Sequence, residues 1–272
     1  MGLRRLDPSR WLEPDARRDE ELGYKRRLLQ TSRGEVLGSL PGSRPACEEL
    51  LDLIREDLLT HHPQVRADAT PMLGALERPD RDDLIEAGAL MVQEDLCILE
   101  RRGGEWVLTA ACVCFPSRWR LADKLGASLA VIHGPVPGFD RDLGRPTATF
   151  FDRLAVERPV WRLNWTLLDT AELHLASPSA RRASGGVVEP ARSLWFRVER
   201  QTLRRLRRSG AIVFTIRTYV RSIEALLDAH PGAAAALRDT LSTVPGDVAE
   251  YKGWTGLLDD TIAWLGSRAA LP

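Results

Sequence analysis

Several things are scarce in this chain, and each scarcity excludes something. Its 272 residues hold only four cysteines, Cys47, Cys97, Cys112 and Cys114. No two form a CxxC pair, which argues against a zinc ribbon or a thioredoxin-like redox site. Cys112 and Cys114 stand two apart in an apolar run and share one face of a strand, where inert buried thiols are expected rather than metal or redox work. Net charge is absent: 38 basic residues balance 38 acidic ones, so no overall field draws nucleic acid or an anionic membrane. No stretch reaches the roughly 18 apolar residues of a membrane span, and the start, MGLRRLDPSRWLEP, lacks the apolar core of a signal peptide. The chain therefore reads as cytoplasmic and reduced. Also missing are a Walker loop, G-x-G-x-x-G, G-x-S-x-G and H-E-x-x-H, which removes nucleotide kinase, dinucleotide dehydrogenase, serine hydrolase and zincin. Lysine is rare too, confined to Lys25, Lys124 and Lys252 beside 35 arginines. That skew reflects genome composition first, and it supplies planar donors suited to carboxylates.

What is present describes a globular protein, with 44% hydrophobic and 28% charged residues and no internal repeat or long linker. Residues 1–45, rich in Arg, Asp, Pro and Gly, are expected to form an arm with one helix near Asp19–Leu29. Residues 46–272 are expected to form the body of what is overall a single domain. Over 46–59, Cys47, Leu50, Leu51, Ile54 and Leu58 make one helical stripe. His61 and His62 follow at its C-terminal end, where they read as a cap rather than as ligands. Residues 95–115 read as two strands joined at Gly103-Gly104. Ser117 is placed to cap a short helix, Arg118–Leu125, stopped by Gly126. A strand over 159–169 follows, then a Ser/Pro/Gly-rich loop near 177–191 suited to a lid. Next come strand, short helix and strand over 194–220, and helices over roughly 220–230, 233–243 and 247–266. The last carries an apolar stripe from Tyr251 through Trp254, Leu258 and Ile262 to Leu265. Without repeated long crossovers, the sheet should be largely antiparallel and the fold class α+β.

Two features could carry chemistry. His133 follows the apolar Leu129–Ile132 and precedes Gly-Pro-Val-Pro. Such an imidazole is either a satisfied core side chain or an axial ligand for haem iron, with the prolines limiting backbone freedom and Gly134 allowing a flat macrocycle close. Arg162, Arg197 and Arg217 each interrupt apolar strand text. A buried arginine needs an anion. Internal partners such as Glu199, Asp169 or Glu224 would serve, and so would the two propionates of a haem. Glu94 and Asp95 open a strand and could pair an arginine or orient an amine.

The ordered segments QEDLCILE, FPSRWRLADKLGASLAVIHGPVPGF, RLNW and RVERQTLRRLRRSGAIVFTIRTY, with WLEPD before them, resemble the haem-dependent oxidative N-demethylase family from about Leu6 to Leu265. The resemblance implies a PAS-like, mostly antiparallel sheet core wrapped by additional helices and holding haem b, over residues 46–272. Through I-H-G-P-V-P it assigns the proximal iron ligand to His133. Through the other motifs it singles out Arg162, Asn164, Trp165, Arg197, Glu199, Arg200, Gln201, Arg217 and Tyr219. Arg162, Arg197 and Arg217 are the expected cofactor-binding arginines, with propionate pairing assigned by charge to Arg162 and Arg217. The chain departs from the family pattern at Arg207, where proline is expected after an E-R-Q-T-L helix. The activity implied is that of a monooxygenase which removes a methyl group from a small secondary amine with O2 and releases formaldehyde. Electrons would come from NADPH through a separate flavin/iron-sulfur reductase. A haem-binding sensor or gas-binding module without catalysis is the competing reading, and an interaction protein that has lost haem is a third.

Overall fold

The tight turn at Gly103-Gly104 works because both residues take positive φ, 58° and 87°, which only glycine adopts without strain. It joins β3 (Asp95–Arg102) to β4 (Glu105–Cys112). In the computed structural model, which describes residues 2–65, 80–177 and 189–269, these strands belong to one seven-stranded sheet. The others are β1 (Arg4–Arg5), β2 (Leu37–Ser39), β5 (Val160–Leu168), β6 (Trp195–Arg205) and β7 (Ile212–Ser222). The order is β1-β5-β6-β7-β3-β4-β2, and every pairing is antiparallel. The fold is α+β.

Each face of the sheet carries its own layer. On one face lie α1 (Arg18–Thr31), the single turn α2 (Arg33–Val36), α3 (Arg44–His61) and α4 (Arg81–Ala89). The predicted stripe of α3 is buried there: Cys47, Leu50, Leu51, Ile54 and Leu58 share a core with Leu96, Ile98 and Val213 of the sheet. Each such side chain contributes about 1.5–3 kcal/mol on burial. Leu6, Trp11 and Leu12, from the first dozen residues, belong to the same core. The other face holds α5 (Leu129–His133) and α6 (Gly144–Arg153), with Leu129 and Phe151 packed on Cys97, Leu99, Leu108 and Ile212. Beyond β5 sit the single turn α7 (Pro190–Ser193), α8 (Ile223–Ala229), α9 (Ala233–Ser242), α10 (Gly246–Tyr251) and α11 (Leu258–Ala269). Trp254 between the last two is buried, and its indole N–H donates to Thr166 and the Leu167 carbonyl. Among the described residues no helix is long and apolar enough to cross a membrane.

Three expected elements differ. The segment 195–222 contains no helix: β6 and β7 form one uninterrupted hairpin. Arg, Gln and Leu favour helix locally, but eleven consecutive pairings outweigh that preference. The turn is held from outside, since the Glu49 carboxylate on α3 accepts from the amides of Arg208 and Ser209 at 2.7 and 2.8 Å. Arg118 does not begin a helix, because it takes φ +61° and its amide bonds the Leu175 carbonyl, leaving only a short turn over Leu121–Asp123. The helix expected over 247–266 is split at Gly253, φ +70°, which lets Trp254 turn inward. Of the expected lid, residues 178–188 lie outside the described residues.

Candidate functional site

The second face of the sheet is incompletely covered, and the candidate residues gather there. Strand alternation sends Arg197, Glu199 and Gln201 of β6 to this face. Register sets Arg162 and Asn164 of β5 opposite Gln201 and Glu199. Arg162 Nε donates to Gln201 Oε1 at 2.8 Å. Gln201 Nε2 and Asn164 Nδ2 both donate to Glu199 Oε2, at 3.0 and 3.3 Å, and Arg197 Nε to Glu199 Oε1 at 3.3 Å. Asn164 is exposed on β5, beyond the two residues that β1 pairs, while its paired Glu199 is buried, so this part of the second face is open to solvent, and the space above it is here called the cleft.

His133 reaches this cleft from the end of α5. Its Nδ1 lies 2.9 Å from the Leu129 carbonyl, which can only accept, so Nδ1 carries the proton and Nε2 keeps its lone pair. Burial lowers the His133 pKa, and the charges of Lys124 and Arg162 lower it further, favouring the neutral ring. The ring stacks on Phe139 with centroids 4.7 Å apart and planes 13° from parallel. That stack depends on the backbone between them. The Val136 amide bonds the His133 carbonyl, and Gly138, φ +70°, turns the chain back so that Phe139 meets the imidazole.

Three groups that the sequence did not nominate complete the site. Lys124 lies over the Trp119 ring at 4.2 Å, and Lys252 donates to the Trp165 carbonyl at 2.9 Å. Burial lowers both lysine pKa values, with the Glu199 charge opposing it; burial raises that of Tyr251, with Glu199 adding to it. Arg162 is likewise lowered by burial against the pull of Glu199. Lys124, Arg162, Tyr251 and Lys252 are thus desolvated yet keep accessible surface, the condition of side chains inside a cleft. Three half-exposed cations, Lys124, Arg162 and Lys252, share the charge of Glu199, with Asp123 acting on Lys124 as well. That imbalance is costly unless an anion joins them.

Not every expected residue comes to this place. Arg197 is fully buried, and its guanidinium is taken up by the carbonyls of Leu173 and Phe115, by Thr218 and by Glu199, so it fixes the carboxylate rather than facing the opening. Arg217 points to the opposite face, where Glu21 and Asp15 pair it at 2.7 Å each. Arg217, expected to pair a propionate, is in this structure engaged by two internal carboxylates. Arg200 and Tyr219 are also on that face, both held by Glu13. Glu94 and Asp95 are buried, and the charges of Asp95 and Arg197 act on each other. Asp95 accepts from the amides of Cys114 and Phe115 and lies 3.7 Å from the buried Lys25. All four cysteines are buried, and burial pushes Cys97 up to about 12, as expected of inert thiols. Among the described residues no three His, Cys, Asp or Glu side chains form a ready-made metal site.

An α+β scaffold with an imidazole nitrogen open beside several cations has the donor chemistry that an anionic, metal-bearing cofactor requires. Haem meets those terms, with an iron that takes one axial imidazole and two carboxylates that take cations. The family model for haem-dependent oxidative N-demethylase, alpha subunit-like, matches residues 2–261, and the chain belongs to that family.

Proposed function

We propose that this chain binds haem b in the cleft and uses O2 to remove a methyl group from a small secondary amine, releasing formaldehyde. The observation that carries the reading is His133, its Nδ1 tied to Leu129 and its Nε2 open beside the cation-lined groove. Nε2 would hold the iron. Arg162 and Lys124, whose charges both act on His133, would pair the propionates. Lys252 sits farther along the same groove. Arg197, Gln201 and Asn164 fix Glu199, which offers the cleft's one carboxylate to a cationic amine.

When bound, haem supplies the activation of O2 that no side chain here could provide. The protein's part is to hold the cofactor, keep the amine's methyl group toward it and limit water. The balance requires two electrons: one oxygen atom leaves in formaldehyde, the other in water, and the methyl group is replaced by hydrogen on nitrogen. NADPH is the electron source in this reading, through a separate flavin/iron-sulfur reductase. The alpha-subunit-like family description supports a multi-component system, and the cytoplasm suits such a partner.

The test begins with absorption spectra of protein produced with haem supplied, beside His133→Ala. A Soret band at near one haem per chain, lost or displaced in the variant, is expected. Formaldehyde should then form from small methylamines on reduction in air. A wild-type protein that takes up no haem would overturn the reading; one that binds haem but yields no formaldehyde would leave a haem-binding module.

A further inference from the structure

On the opposite face of the sheet, a cleft of about 190 Å³ lies at the C-terminal end of α3, lined by Leu53, Glu56, Asp57, Thr60, His61 and Arg204, with Pro8 at its edge. Asp57 is the anomaly. Its side chain is 4% exposed, and Oδ2 has no hydrogen-bond partner. Opposite it, His62 Nε2 is also buried and unpartnered, 3.6 Å away. The other imidazole nitrogen of His62 bonds the Leu12 backbone, an interaction that favours the protonated ring and so runs to the carbonyl. Nε2 therefore presents a lone pair. Two lone pairs confront each other at a distance too long for a hydrogen bond between them.

We propose that Asp57 Oδ2 and His62 Nε2 are two ligands of a divalent transition-metal site, with zinc as the representative ion. The separation selects the occupant. Bonds of about 2.0–2.2 Å at the tetrahedral angle place neighbouring ligand atoms roughly 3.3–3.6 Å apart. A water or ammonium donating two hydrogen bonds of about 2.8–2.9 Å would hold them near 4.6 Å. The observed 3.6 Å fits the metal. A carboxylate with an imidazole is the donor set that zinc and its neighbours favour. His61, one helical turn from Asp57 and on the same cleft wall, supplies the third ligand by a side-chain rotation. Water completes the tetrahedron from the open side.

The surroundings agree on balance. The C-terminus of an 18-residue helix carries negative partial charge, and Glu56 and Glu94 add to it. Arg204 opposes them, but its guanidinium is laid over the Trp11 ring at 4.4 Å. The ion would pin the end of α3 to the segment around Leu12.

Isothermal titration of the EDTA-treated full chain with zinc chloride decides the matter. Wild-type protein should take one zinc at micromolar affinity, and zinc should raise its melting temperature. Asp57→Asn and His62→Gln should each weaken binding more than tenfold and abolish the thermal gain, with His61→Gln weakening it less. His133→Ala should bind zinc as wild type does. Should Asp57→Asn fail to fold, His62→Gln carries the comparison. The site is refuted if wild-type protein takes no zinc, if both substitutions leave affinity unchanged, or if methylammonium reproduces the thermal gain.

Discussion

Replacing Arg162 by Gln should move stability and cofactor affinity in opposite directions. The side chain is half-buried, and its Nε donates to Gln201. Lys124 and Lys252 share that cleft, and the one carboxylate, Glu199, is already held by Arg197, Gln201 and Asn164. Without an anion, Arg162 is a desolvated and poorly compensated charge. Its removal should leave the haem-free protein as stable as wild type or slightly more so, a trade typical of binding sites. With haem bound, the same change deletes a charge-assisted contact worth about 1.5–3 kcal/mol, or roughly 10- to 150-fold in affinity. Soret titration gives the affinity, and thermal melts with and without haem give the stability. If both quantities fell together, Arg162 would be structural. If haem affinity were unchanged, the propionates would lie elsewhere.

Two further outcomes follow from Asp57 and Gly138. Burial raises Asp57 to about 6, so the folded protein binds a proton there more readily than the unfolded chain does. Stability from this group is therefore greatest in acid and declines as pH rises from about 4 to 6. By pH 7 the loss approaches 3 kcal/mol as an upper bound. In EDTA, Asp57→Asn should match wild type in urea unfolding near pH 4 and exceed it near pH 7; parallel profiles would refute the assignment. At Gly138, a Cβ would meet the Asp142 carboxylate at 3.0 Å and Arg141 at 3.2 Å, on a backbone with φ +70°. Gly138→Ala should cost about 1–2 kcal/mol and, by shifting Phe139 off His133, displace the Soret band. An unaltered spectrum would show that the stack does not set the histidine's position.

The fold was legible where short-range chemistry decides it. Gly103-Gly104 announced a hairpin, and the α3 stripe announced a buried helix face, because turn and periodicity are local. The turn between β6 and β7 was not legible, since the group that holds it, Glu49, is more than 150 residues away. His133 could be nominated from its apolar, proline-flanked setting, but its tautomer depends on a carbonyl four residues back that only the folded helix brings within 2.9 Å. Lys124 and Lys252 escaped nomination although a signal existed. In a chain with 35 arginines and three lysines, none of the three is an ordinary surface charge: one is buried beside Asp95 and two line the cleft. Where arginine is the default cation, a retained lysine marks a place that needs a compact charge on a flexible stem.

Arg217 shows how one local error propagates into a site. A helix inside 195–222 would leave the parity that relates its two strands undefined, and charge alone assigned Arg217 to a propionate. In the continuous hairpin, Arg217 pairs with Arg200 and Glu199 pairs with Thr218. Arg200 is three residues from Arg197, an odd number, so the two point to opposite faces, and Arg217 follows Arg200. Nine of the residues that the family motifs single out lie on β5, β6 and β7, and that parity sorts them. Arg162, Asn164, Arg197, Glu199 and Gln201 take the cleft side. Arg200, Arg217 and Tyr219 take the other, where Asp15, Glu21 and Glu13 bind the N-terminal segment to the back of the sheet. Trp165 stands at the uncovered edge, against Trp254. One stretch of sequence thus serves two ends: the front of each strand shapes the cleft, while the back anchors the segment that closes the core behind it.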